Sequence, residues 1–149
     1  MSDGRVLVDT NILVYSVDRR DARKQTAAAT ALDELASAGL GVLSAQTLAE
    51  YYSALTSKNV LAEQVPAADV ANQVADYAGS WTVVDVTALV VLEAIEGVRR
   101  HQLAHGDAQI WAAAKLNQIE VVYSEDGPTG LTIGGVRFVN PLETVRTTP

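Results

Sequence analysis

The sequence contains no cysteine, which excludes disulfide bonds, thiolate metal sites and thiol nucleophiles. It also contains no apolar run close to the roughly 20 residues that a membrane-spanning helix needs. The segment from Met1 to Arg5 has neither the basic region nor the apolar core of a secretory signal. We therefore expect a protein that contacts no membrane and is cytoplasmic.

Positive charge is scarce, with 11 lysine and arginine residues against 18 acidic residues and a net charge of −7. This balance opposes phosphate binding, which needs local positive charge. Either the partner is not nucleic acid, or the acids gather around a divalent cation and the bases form a separate surface. The largest basic cluster consists of Arg19, Arg20, Arg23 and Lys24. It is a candidate phosphate-binding surface, and a solvated helix face is the alternative.

Apolar strands and helical patterns alternate along the 149 residues, with no internal repeat or linker between them. The predicted strands are 5–9, 41–44, 81–86, 120–124 and 136–139, and the predicted helices are 10–17, 21–38, 44–57, 66–80, 87–103 and 107–117. This alternation indicates a three-layer α/β/α fold, with helices flanking a mainly parallel central sheet of four to five strands. We expect a single domain over residues 1–142 and a C-terminal tail over 143–149.

Four acidic residues stand in unusually apolar surroundings. Asp9 and Asp126 follow predicted strands, and Glu50 and Asp107 lie on helices with few other charges. In a parallel sheet the carboxyl ends of the strands share one edge, which is where such folds place their chemistry. All four side chains can therefore meet in one crevice.

Each acid also has a purely structural explanation. Asp9 and Asp107 can cap the helices that follow them. Asp126 with Gly127 can form an ordinary turn, and Glu50 can point into solvent. These explanations require four separate coincidences, whereas a shared site requires one.

Carboxylates brought close together repel one another, and without a counter-charge at least one of them becomes protonated. A hard divalent cation such as Mg²⁺ or Mn²⁺ relieves the repulsion, because it prefers oxygen ligands. The absence of cysteine and the presence of only two histidines argue against zinc. An acidic pocket with one or two such ions is a common apparatus for hydrolysing phosphodiesters.

Four sequence blocks together resemble the PIN-domain nucleases, and among them the VapC-type toxins of bacterial toxin–antitoxin pairs. The blocks are V-D-T-N-I-L-V-Y at 8–15, A-E-Y-Y at 49–52, H-G-D-A-Q-I-W-A-A-A at 105–114 and S-E-D-G at 124–127. The segment G-V-R-F-V-N-P at 135–141 is similar to the last strand of that family. The resemblance spans nearly the whole chain, and the order and spacing of the blocks make it specific.

The resemblance implies roles for six residues and leaves that of a seventh open. The catalytic, metal-binding acids would be Asp9, Glu50, Asp107 and Asp126. Asn11 would support the first of these acids, and Ser124 would be the hydroxyl residue that precedes the last. Glu125 departs from the family pattern, and it either shares the metal site or faces solvent.

The resemblance also implies an activity and partners. Similar proteins are Mg²⁺-dependent endoribonucleases that cut structured RNA and block translation. A cognate antitoxin neutralises them, many form homodimers, and promoter DNA is bound only through the antitoxin. On this interpretation the basic residues Arg19, Arg20, Arg23 and Lys24 contact RNA phosphates.

Three alternatives stay open at this stage. A phospho-acceptor receiver domain needs an aspartate pair near the first strand and a late lysine, but no lysine follows Lys115. A phosphatase of the haloacid dehalogenase type needs Asp-x-Asp at the first strand, where the third residue is Asn11. A PIN-like protein that binds RNA or a partner without cleavage is the third.

Overall fold

The computed structural model describes residues 3–57 and 61–143. Most of the predicted tail, from 144 to 149, lies outside the described residues. The strands are β1 (Val6–Val8), β2 (Gly41–Ser44), β3 (Thr82–Val84), β4 (Val121–Tyr123), β5 (Thr132–Ile133) and β6 (Val136–Val139). The helices are α1 (Thr10–Tyr15), α2 (Ala22–Ala38), α3 (Ala45–Thr56), α4 (Ala67–Ser80), α5 (Ala88–His101) and α6 (His105–Leu116), with a single 3-10 turn at Leu61–Glu63.

The strands form one sheet in the order β3-β2-β1-β4-β6-β5. All neighbouring pairs are parallel except β5 with β6. This confirms the predicted α/β class with a mainly parallel sheet. The sequence analysis did not predict β5, which is two residues long and joins β6 through a glycine pair with positive φ, Gly134 and Gly135.

The core lies on both faces of the sheet because successive side chains of a strand point in opposite directions. Leu7 packs in the apolar cluster of α5 and α6, and its neighbours Val6 and Val8 pack in the cluster of α1 to α4. Helices on both faces explain why β1 is entirely apolar, as strands buried on two sides usually are. The three-layer arrangement follows from this pattern.

The central strand leads directly into the first helix. The Asp9 backbone N–H donates to the Tyr123 carbonyl of β4 at 2.9 Å, so Asp9 still belongs to the edge of the sheet. Its side chain then accepts from the Thr10 backbone N–H as the N-cap of α1. Asp9 is therefore held at the carboxyl edge of the sheet by its backbone and side chain together.

Among residues 3–57 and 61–143, no helix is both long enough and apolar enough to cross a bilayer.

Candidate active site

A cleft of about 470 Å³ opens at the carboxyl edge of the central strands. The four acids singled out from the sequence all line it. They come from four places in the fold: Asp9 from the end of β1, Glu50 from α3, Asp107 from α6 and Asp126 from the loop after β4. The tertiary structure thus brings together residues that lie up to 117 positions apart in the sequence.

Two hydrogen bonds hold the Asp9 carboxylate. Its Oδ1 accepts from the Thr10 N–H at 2.8 Å, and its Oδ2 accepts from the Ser124 hydroxyl at 2.9 Å. Burial raises the pKa of Asp9 to about 6, and the nearby charges of Asp107 and Glu50 act in the same direction. The two hydrogen bonds lower the pKa but do not offset the burial.

Asn11 and the fully buried Ser124 fix the loop that carries Asp126. The Asn11 amide Nδ2 donates to Asp126 Oδ2 at 3.2 Å and lies 3.5 Å from Ser124 Oγ. Its Oδ1 accepts from the Glu125 backbone N–H at 3.3 Å, and Ser124 Oγ accepts from the Gly127 N–H. The Asn11 side chain therefore contacts the last acid, whereas the resemblance implied support of the first. The Ser124 hydroxyl and the Thr10 N–H are the groups that donate to Asp9.

Glu50 lies on the exposed side of α3, whose opposite face is buried. Thr10 Oγ1 donates to Glu50 Oε1 at 2.7 Å, and Gln46 Nε2 donates to Oε2 at 3.0 Å. The sequence analysis did not identify either donor. The four-residue spacing of Gln46 and Glu50 could have predicted their contact, because residues four apart share one face of a helix.

Helix α6 begins at His105, two residues before the predicted start, so Asp107 lies within its first turn. Ala104 occupies the N-cap position, which removes the interpretation of Asp107 as a cap. Burial raises the pKa of Asp107, and the charge of Asp126 raises it further. The helix dipole favours a carboxylate at this end.

The model of the PIN domain family matches residues 6–127, which include all four acids. The chain belongs to the PIN-domain family. This membership sets aside the receiver and phosphatase alternatives and confirms the family expected from the sequence.

Several solved structures share the fold of this PIN domain. Mycobacterium tuberculosis VapC20, a sarcin-ricin loop cleaving toxin, is 24% identical over 83% of this chain and 91% of that chain, with a TM-score of 0.62. A toxin–antitoxin complex from Klebsiella pneumoniae is 18% identical over 91% and 97%, with a TM-score of 0.63. DNA-bound VapBC from Salmonella typhimurium is 16% identical over 95% and 99%, with a TM-score of 0.62. No curated protein matches the sequence.

Glu125, the residue that departs from the family pattern, is paired with Lys24. Lys24 Nζ lies 2.6 Å from Glu125 Oε2 and 4.9 Å from the centre of the Tyr15 ring. Burial raises the pKa of Glu125, but hydrogen bonds from Lys24 and Tyr15 and the lysine charge outweigh it, so the pKa is lowered. Glu125 lines the cleft of this PIN domain with its charge balanced by Lys24.

The four residues of the predicted basic cluster have different surroundings. Of its four residues, only Arg20 lines the cleft. Arg23 donates to the Leu142 carbonyl at 3.1 Å, Lys24 is paired with Glu125, and the exposed Arg19 lies outside the cleft.

The four cleft acids have no cationic partner, since none of the ion pairs within residues 3–57 and 61–143 includes them. In the same residues, no three acidic or histidine side chains are grouped closely enough to hold an ion. Mg²⁺ usually keeps several of its waters and binds through one or two carboxylates. Separate, unpaired carboxylates on one cleft fit such a hydrated ion.

Proposed function

We propose that this PIN domain is a divalent-metal-dependent endoribonuclease toxin of the VapC type, which hydrolyses RNA phosphodiester bonds and inhibits translation. The observation that supports this proposal best is the convergence of four unpaired carboxylates from separate elements on one cleft. A ribonuclease of this kind would act in the cytoplasm, where its RNA substrate is found.

In this proposal Asp9, Glu50, Asp107 and Asp126 are the catalytic acids that would hold Mg²⁺ or Mn²⁺. Such an ion, when bound, lowers the pKa of a water and stabilises the charge that develops on the phosphate. Oxygen donors of this type suit both ions.

The residues around the acids orient them before substrate arrives. Thr10 and Ser124 hold Asp9, and Asn11 holds Asp126, at the distances given above. Because the pKa of Asp9 is about 6, its carboxylate is mostly ionised at neutral pH and protonated in mild acid. Metal affinity and activity should therefore fall as the pH drops below about 6.

A protein antitoxin is the proposed inhibitor. The structurally similar proteins include a toxin–antitoxin complex and a DNA-bound VapBC, which supports this partner and indirect promoter binding through it. A homodimer belongs to the same proposal. The exposed apolar side chains of α5, among them Leu89, Leu92 and Ile95, supply a surface for a second copy.

The test uses the purified protein with cellular RNA in Mg²⁺ buffer. We expect discrete cleavage products that disappear in EDTA and return with Mg²⁺ or Mn²⁺. Asp107→Asn should lower the cleavage rate by at least about 100-fold, because it replaces a charged carboxylate ligand with a neutral amide. The matched control is Asp33→Asn, which removes the same charge from an exposed position of α2 and should cleave normally.

Equal cleavage by Asp107→Asn and the unaltered protein would refute the catalytic assignment, as would full activity in EDTA. RNA binding without cleavage under any metal condition would favour the alternative of a non-catalytic RNA-binding PIN protein.

A further inference from the structure

The proposed RNA cleft carries almost no positive charge. Its walls include six acidic side chains: Asp9, Asp18, Glu50, Asp107, Glu125 and Asp126. Among the described residues that line it, Arg20 is the one basic side chain. A polyanion that enters this cleft therefore meets a single protein cation, and phosphate contacts dominate the affinity of most nucleic-acid complexes.

The guanidinium of Arg20 is held by Asp18. Arg20 Nε donates to Asp18 Oδ1 at 2.9 Å, and Nη2 donates to Oδ2 at 2.8 Å, which makes a bidentate pair. The Arg20 backbone N–H donates to the same carboxylate at 3.1 Å. One edge of the planar guanidinium is thereby fixed, and its remaining N–H groups are directed away from Asp18.

Gln64 supports Asp18 from the segment that follows the 3-10 turn. Its Nε2 donates to Asp18 Oδ1 at 3.2 Å, and its Oε1 accepts from the Arg19 backbone N–H at 2.7 Å. Gln64 thus holds Asp18 and is itself held by the neighbouring backbone. A carboxylate fixed in this way limits the rotamers that Arg20 can adopt while the two are paired.

The two partners differ sharply in exposure. The Asp18 side chain is 5% exposed and the Arg20 side chain is 55% exposed. A pair that serves stability alone gains little from this arrangement, because ion pairs open to solvent contribute about 0–1 kcal/mol. The hydrogen bonds from Arg20 outweigh the burial of Asp18 and lower the pKa of its carboxyl, so Asp18 stays ionised beneath the arginine. A buried, ionised anchor beneath an open cation is also suited to presenting that cation to an anionic ligand.

We propose that Arg20 binds a backbone phosphate of the RNA strand in the cleft and that Asp18 is the positioning residue that orients it. This inference rests on the proposed function and deepens it, because it assigns the phosphate contact to Arg20 alone among the basic residues predicted from the sequence. The arginine fork matches the geometry of a phosphate group. Because the fork is oriented in advance, less side-chain entropy is lost when the phosphate binds.

The test measures binding of a short fluorescent single-stranded RNA by anisotropy in Mg²⁺, in an Asp107→Asn background in which cleavage is slow. We expect Arg20→Gln to weaken binding at least about tenfold, since a charge-assisted hydrogen bond is lost. The slope of log affinity against log salt should become shallower by about 0.7, the value for one phosphate contact on a single strand. In the cleaving protein, the same substitution should raise KM more than it lowers kcat.

Arg19→Gln is the matched control, because it removes the same charge one position earlier and outside the cleft. It should change RNA affinity by less than about twofold, with the same salt slope. Arg20→Lys keeps the charge but removes the bidentate fork, and we expect it to bind RNA less tightly than the unaltered protein and more tightly than Arg20→Gln.

Arg20→Gln leaves the buried Asp18 carboxylate without its cation, and this can destabilise the fold. The double variant Asp18→Asn/Arg20→Gln removes both charges and keeps the shape of the buried Asp18 side chain. Its melting temperature should be close to that of the unaltered protein, and its RNA affinity should be as low as that of Arg20→Gln.

The outcomes separate this inference from the proposed function. If the double variant binds RNA as tightly as Arg19→Gln while the unaltered protein cleaves RNA, the Arg20 assignment is overturned and the nuclease stands. If the unaltered protein binds RNA through Arg20 but never cleaves it, the assignment stands and the nuclease is overturned. A complete lack of RNA binding overturns both.

Discussion

Replacement of Asp9 by asparagine should stabilise the metal-free protein at neutral pH. The pKa of this carboxyl rises from 3.8 to about 6 on folding, mainly through burial. The folded state therefore binds more protons than the unfolded state between these values, and stability falls as the pH rises through that window. A difference of about 2 pH units corresponds to roughly 3 kcal/mol, which is an upper figure because the side chain keeps some contact with solvent.

Asparagine does not ionise. The free energy of unfolding of the variant therefore does not fall as the pH rises through this window, whereas that of the wild type does. Asparagine fills the N-cap position about as well as aspartate. Its amide group, however, faces a Ser124 hydroxyl that already accepts from Gly127, which costs about 1 kcal/mol at every pH. We expect Asp9→Asn to be slightly less stable than the wild type at pH 4 and about 1–2 kcal/mol more stable at pH 8.

The assay is urea unfolding of both proteins in EDTA across pH 4 to 8, with free energies from linear extrapolation. The quantity of interest is the difference between variant and wild type, in which the other titrating groups largely cancel. Asp33→Asn, which removes an exposed acid on α2, serves as the control and should change the stability only slightly.

A stability difference for Asp9→Asn that stays constant from pH 4 to pH 8 would refute the reasoning, because no proton would then be taken up by Asp9 on folding. Urea unfolding in Mg²⁺ at pH 8 provides a second test. Binding of the ion should raise the free energy of unfolding of the wild type and leave that of the variant nearly unchanged.

Two further predictions concern packing and the hydroxyl network. Gly97→Ala should destabilise the protein by about 1–3 kcal/mol, because the new Cβ would lie 2.7 Å from Trp111 Cζ3 in the core. At Gly79 a new Cβ would have nothing within 4 Å, so Gly79→Ala should stabilise α4 by about 0.5–1 kcal/mol. Urea unfolding of the two variants compares them directly, and equal effects would contradict the packing argument. Ser124→Ala should cost about 1–3 kcal/mol and raise the pKa of Asp9 above its present value, since the lost hydrogen bond favours the ionised form. A carboxyl titration by NMR checks this, and a lower pKa would argue against the contact.

The class of the fold and the positions of the acids were predictable because both depend on local pattern. Apolar strands separated by amphipathic helices admit few arrangements other than a covered parallel sheet. An acid placed directly after such a strand, as Asp9 is, has to lie at the carboxyl edge. The same logic located the loop with Asp126, although the catalytic roles of these acids stay predictions.

Two features of the fold were not predicted correctly from the sequence: the short strand β5 and the first residue of α6. The strand β5 has two residues and exists through its pairing with β6, so no periodicity marks it. The start of α6 was placed two residues late, because Asp107 in its first turn resembles a cap when only the sequence is read.

The sequence by itself determined which acids stand in apolar surroundings and, with the match to the PIN-domain family, what scaffold carries them. Only the tertiary structure decided which partner each charge has. Glu125 is paired with Lys24 and Asp18 with Arg20, whereas Asp9 has hydrogen bonds and no cation. The physical reason is that a charge interacts over a few ångströms in space, and partners such as Lys24 and Glu125 are 101 positions apart in the chain.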